Sequence, residues 1–101
     1  MDNFPVKICA SRDSKDKRIV FLSVEAELMP GDDEREKKMK VSRIFGMLNL
    51  IAINLNATIL NTNKEELFPR SFDKEIRFIN WLNFSSLDNS QRFLDVIEKA
   101  Q

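Results

Sequence analysis

Few side chains in this chain have chemical reach: one cysteine, Cys9, sixteen carboxylates, and neither histidine nor tyrosine among 101 residues. Without imidazole, the usual route to proton transfer near neutral pH is missing, and so is every triad built on it. A single thiol excludes disulfide frameworks and cysteine-cluster zinc sites. Two carboxylate groupings remain, Asp13/Asp16 and Asp32/Asp33/Glu34, and both lie among lysines and arginines. They read as solvated, ion-paired surface. Cys9 sits beside Ile8 and Ala10 in an alternating segment and reads as an inert, half-buried thiol, because a reactive thiolate needs an exposed electropositive niche. Two glycines cannot form a phosphate-cradling loop, and neither GxGxxG nor GxxxxGK[ST] occurs. The expectation is a protein that is not an enzyme, with no cofactor and no metal.

Two groups of residues could instead form binding surface. Phe68, Arg70 and Phe72 stand around Pro69 in a polar stretch, and this mix of aromatic and arginine side chains resembles the make-up of interface hot spots. Lys74 extends the group, and Trp81 supplies a further aromatic anchor. The competing reading folds Phe68 and Phe72 back beneath the loop as core. The second group is basic: Arg12, Lys15, Lys17 and Arg18 early in the chain, with Arg35, Lys37, Lys38, Lys40 and Arg43 further on. Brought side by side, they would give nucleic acid a counterion-releasing surface. Six acids interleave with them or adjoin them (Asp13, Asp16, Asp32, Asp33, Glu34, Glu36), which favours an ordinary mixed-charge surface.

The elements that must position these residues follow from periodicity. Val6, Ile8 and Ala10 alternate with Lys7, Cys9 and Ser11, a period of two that predicts a strand. A polar turn, residues 12–18, leads to a second strand over 19–28, rich in β-branched and aromatic residues. Pro30-Gly31 breaks it. Asp33 with Glu36 resembles a capping box at the start of a helix whose buried stripe is Val41, Ile44, Phe45 and Leu48. The acid-before-base spacings Asp33–Lys37, Glu34–Lys38 and Glu36–Lys40 support its first turns.

Beyond Leu48 two patterns compete. Ile51, Leu55 and Ile59 continue the helical stripe, giving one helix over 32–60. Ile51, Ile53, Leu55, Ala57 and Ile59 also alternate as a strand, and Asn49 could end the helix in a left-handed conformation. The second pattern is preferred because four asparagines between 49 and 61 are poor helix material. Residues 61–74 read as loop and 75–84 as a buried strand. A last helix follows: Ser85-Ser86-Leu87-Asp88 offers its N-caps, Asp88 and Gln91 make a capping pair, and Phe93, Val96, Ile97 and Ala100 mark its face.

The order ββαββα gives an α+β fold, a two-layer sandwich with a four-stranded, mainly antiparallel sheet and two helices on one face. The alternative is ββαβα with the long helix. The whole of 1–101 is one domain, in keeping with its length. The uncovered sheet face then needs water or a second subunit, and Ile79 and Trp81 are its candidate residues. Net charge is zero, so bulk charge points to neither nucleic acid nor membrane. The stretch 44–60 is too short and too rich in asparagine to cross a bilayer. With no basic, apolar leader at the start and one unpaired cysteine, a cytoplasmic location is expected. Together these features predict a small module that binds another protein by occupying its surface, of inhibitor, immunity or accessory type, and is a homodimer. A nucleic-acid-binding homodimer is the competing reading.

Overall fold

The computed structural model describes residues 6–60 and 75–100. Six elements run β1 (Lys7–Arg12), β2 (Ile19–Glu27), α1 (Glu34–Asn54), β3 (Ala57–Leu60), β4 (Glu75–Phe84) and α2 (Leu87–Ala100). The strands form one sheet in the order β1-β2-β4-β3, every neighbouring pair antiparallel. This is the α+β architecture in the ββαββα order expected from the periodicity.

The β1–β2 hairpin closes through carboxylates. One Asp13 oxygen accepts the backbone N–H of Lys15 and of Asp16 at 3.0 and 3.1 Å. Asp16 in turn accepts from the Arg18 N–H at 3.0 Å. Such side chain-to-backbone bonds replace the ladder where the chain turns. After β2, Pro30 and Gly31 occupy the two central positions of a turn closed by the Asp32 N–H on the Met29 carbonyl at 3.0 Å. Gly31 has φ 92°, a conformation that the third residue of a type II turn needs and glycine adopts freely.

Asp33 caps α1, its side chain accepting from Arg35 and Glu36 N–H at 3.1 and 3.3 Å. With Asp33 committed there, Lys37 pairs with Asp32 at 2.6 Å, while Lys40 reaches Glu36 at 3.8 Å as the spacing predicts. The helix does not stop at Asn49, nor does it run to residue 60. It continues to Asn54, and the left-handed residue is Asn56, with φ 66°. Asn49 stays helical because its side chain has a tertiary partner: Asn80 Nδ2, on a residue only 4% exposed, donates to Asn49 Oδ1 at 2.9 Å. Strand β3 is accordingly just Ala57–Leu60.

The core lies between the sheet and the two helices. Val20, Leu22, Val24 and Ala26 of β2 and Ile76, Leu82 and Phe84 of β4 meet Val41, Leu48 and Ala52 of α1 and Phe93 and Ile97 of α2 in one cluster. Phe84 and Phe93 stack with centroids 5.4 Å apart, and Phe45 meets Phe78 at 5.6 Å. At the start of α2 the cap is Ser86, whose Oγ accepts from the Asn89 N–H at 3.1 Å; the Asp88/Gln91 pairing expected from spacing does not form. Gln91 is turned elsewhere, accepting from Arg12 at 2.9 Å and donating to Asp95 at 3.0 Å. Ala100, expected on the buried face of α2, is exposed.

Candidate functional site

The alternation that buries the even-numbered residues of β2 and β4 turns the odd-numbered ones to the opposite face of the sheet. Phe21 faces Trp81 across the β2–β4 ladder and Ser23 faces Ile79, with Leu60 beside Trp81 on β3. The Phe84 N–H bonds the Arg18 carbonyl, so the hydrogen-bonded pairs of this ladder fall on even positions. Phe21 and Trp81 therefore form a non-hydrogen-bonded pair, the closer of the two kinds. Their rings lie 4.8 Å apart, tilted by 57°. Ile79 and Trp81 do lie on the second face, as expected, and both are half-buried.

One end of this face is charged. Arg77 Nε meets Glu25 at 2.9 Å and Arg77 Nη2 meets Glu75 at 3.0 Å. The Glu75 bond, above all, raises the Arg77 pKa beyond its ordinary value, with the nearby charges adding to it and desolvation opposing. Of the residues expected to bind a partner, Trp81 is thus placed in an aromatic pair on the open face. Phe68, Arg70, Phe72 and Lys74 lie outside the described residues.

The two basic groups are not brought together. Arg12, Lys15, Lys17 and Arg18 sit at the hairpin tip, where the Lys17 carbonyl accepts from Ser90 of α2 at 3.4 Å. Lys37, Lys38 and Lys40 open α1 at the other end of β2, where Lys37 Nζ donates to the Glu27 carbonyl at 2.7 Å. β2 has nine residues, so at about 3.3 Å per residue the two groups are separated by roughly 26 Å. That is several Debye lengths at physiological salt, about 8 Å each, so the groups do not act as one patch. Arg18 is also paired with Asp16 at 3.3 Å, and Arg12 donates to Ser90 and Gln91. The Arg18 bonds hold the Asp16 carboxyl below its ordinary pKa.

A third surface lies on α1. Its buried side carries Val41, Leu48 and Ala52, and its outer side carries four large apolar side chains among the polar Glu36, Arg43 and Asn54: Met39, Met47, Leu50 and Ile53 are 55%, 54%, 62% and 46% exposed. Spacings of eight, three and three residues place the four on one stripe, with Gly46 among them. A Cβ built on Gly46 meets nothing within 4 Å. Packing among the described residues therefore does not explain a glycine at that position. Sequence reasoning passed over this stripe, although its i, i+3 and i+4 spacings were visible beside the buried one.

Among the described residues no group of three carboxylate or thiol side chains is placed to hold a metal ion, and no helix is long and apolar enough to cross a membrane. Cys9 is exposed on β1. Compared with family models, curated proteins and solved structures, the chain matches none.

Proposed function

We propose that this chain is a non-catalytic protein-binding module of inhibitor or accessory type, that it works as a homodimer, and that the outer stripe of α1 is what it lays against its partner. The observation that carries this reading is a contrast inside one molecule. α1 and α2 belong to the same layer over the same sheet. α2 is amphipathic in the ordinary way, with Gln91, Arg92, Asp95, Glu98 and Lys99 exposed and Phe93 and Ile97 buried. α1 buries one stripe and exposes a second, whose four large apolar side chains are each about half exposed or more. A helix that is apolar on both sides is usually covered on both. Contiguous apolar surface of roughly 300–600 Å² is the most that a typical monomer shows, and such patches are often functional. Arg43 on the same side supplies a charge for orientation, and methionines let the stripe adapt to its partner's contour.

The test is affinity capture from the native host with wild-type and Leu50→Glu chains, followed by reconstitution with the purified captured protein. The wild type forms a stoichiometric complex and Leu50→Glu, folded by circular dichroism, loses it by at least tenfold in affinity. Equal binding by both chains would reject the stripe. Binding that is instead lost on Trp81→Ala moves the site to the open sheet face.

A further inference from the structure

We infer that two copies of the chain join through the outer edge of β1, antiparallel about a two-fold axis at Cys9. The inference rests on the strand edge and is independent of the α1 stripe. β1 is one of the two edges of the sheet, and its pairing with β2 runs unbroken from Lys7↔Glu25 to Arg12↔Val20, without bulge or proline. The Asp13 N–H bonds the Ile19 carbonyl, so the odd-numbered residues of β1 turn their backbone groups toward β2. Ile8, Ala10 and Arg12 turn theirs outward, a row that no strand among the described residues pairs with and of the kind that templates another strand.

The occupant is identified by self-complementarity. With the axis at Cys9, Ile8 of one copy exchanges hydrogen bonds with Ala10 of the other, and Val6 with Arg12, about eight bonds in all. Lys7 then faces Ser11 and Arg12 faces Val6, so no like charges are opposed. Moving the axis to Ala10 shortens the ladder, since Val6 then loses its partner. Space exists for the incoming residues. A groove of about 730 Å³ lies between β1 and α2, lined by residues 7–11 with Leu94, Ile97 and Glu98. The second copy's Ile8 and Ala10 project into it from the helix side of the sheet.

Light scattering at high micromolar concentration tests this with three chains. The wild type has twice the 11.8 kDa chain mass. Ala10→Pro removes an N–H that β2 does not use, a place where an edge strand tolerates proline, and it reverts to the single-chain mass with an unchanged circular dichroism spectrum. Leu50→Glu stays dimeric. A single-chain mass for the wild type overturns the pairing and leaves the edge to an extended segment of another protein. A dimer that survives Ala10→Pro but is lost in Leu50→Glu overturns it in favour of α1.

Should Ala10→Pro fail to fold, Cys9 gives a second readout. The two Cys9 residues form a non-hydrogen-bonded pair, with Cα atoms about 4.5 Å apart, within disulfide range. Diamide accepts two electrons and two protons from the two thiols, leaving a Cys9–Cys9 bond. The yield of that covalent dimer holds across a tenfold dilution because the thiols are already paired. A yield that falls in step with concentration overturns the geometry.

Discussion

Gly46→Ala separates what the fold needs from what the surface is for. Gly46 lies well inside α1, and a methyl group added there meets no atom within 4 Å. In a helix interior, glycine is less favourable than alanine by about 0.8–1.0 kcal/mol, through lost backbone entropy and exposed peptide. The substitution creates no clash to offset that gain, so the isolated chain is expected to gain about 1 kcal/mol. For a domain of this length that is roughly 4–8 °C in Tm. Urea unfolding followed by far-UV circular dichroism measures it, with an unchanged m value showing that the unfolded state is the same. The added methyl stands in the middle of the stripe, where a partner's backbone can approach closely only if the residue is small. Overpacking a fitted contact costs roughly 1–3 kcal/mol, so affinity for the captured partner falls by roughly 5- to 150-fold. A chain that is more stable and yet binds more weakly is the expected signature. A loss of stability on Gly46→Ala would refute the reasoning, because it would mean that something within the chain already occupies the space above the glycine.

Two further outcomes follow from the ends of α1. Asn56 holds φ 66° where the helix gives way to β3; Asn56→Ala is expected to cost about 1 kcal/mol, while Asn56→Gly retains or raises stability in the same urea assay. At the other end, Asp32 accepts from Lys37 Nζ and the Met29 N–H, at 2.6 and 2.7 Å, and these bonds, Lys37 first, hold its carboxyl below the ordinary value. A depressed folded pKa means that the stability contributed is present above the ordinary carboxylate range and is lost as pH falls through the folded value. Asp16 behaves alike through Arg18. An Asp16→Asn/Asp32→Asn double variant should therefore lose less stability than the parent on acidification toward pH 3, and parallel acid limbs would rule out the assignment.

Much of this fold was legible because local and tertiary demands agree. β4 spans Glu75–Phe84 as expected because its even-numbered positions turn inward, only Phe78 short of full burial and only Asn80 polar. The second sheet face was readable from the same alternation, with Ile79 and Trp81 out of phase with Ile76, Leu82 and Phe84. The end of α1 was not readable, because residues 51–59 satisfy both a period of two and a period of 3.6. Both are used in part: the helical turns run on until the Leu55 and Asn56 N–H groups close on the Ile51 and Ile53 carbonyls, and left-handed Asn56 then releases residues 57–60 to pair with β4 across the sheet, a contact that no local window contains. The cap of α2 was legible in part: Ser86, one of the N-caps that residues 85–88 offer, takes the role, whereas the Asp88/Gln91 pair does not form because Gln91 is drawn off by Arg12 and Asp95. The split of the basic residues is topological, since α1 returns antiparallel to β2 and sets its first turns at the far end of that strand. The outer stripe of α1 had the spacing of a helix face, yet the buried stripe already accounted for the helix, and only its exposure in the folded chain shows that the second stripe is left over.

The α1 stripe and the β1 edge are compatible because α1 and α2 share only β4 and otherwise cover different strands. α1 packs over β2, β3 and β4, whereas α2 packs over β1 and β4. Strand pairing through β1 brings the α2 helices to the middle of the assembly and keeps the α1 helices at its flanks, so neither stripe is covered by dimer formation. The paired sheets are continuous, and both Phe21–Trp81 pairs lie on the same open side. Such a dimer offers two copies of the stripe held at a fixed spacing. Against a target that carries two copies of its own site at a matching span, the second contact becomes intramolecular and avidity exceeds the single-site affinity by up to about 10²–10⁴-fold. Ala10→Pro, by making the chain monomeric without touching α1, should remove that gain and leave the single-site affinity in place. A loss of both would tie the stripe's binding to the paired state, and a loss of neither would show that the partner engages one stripe at a time.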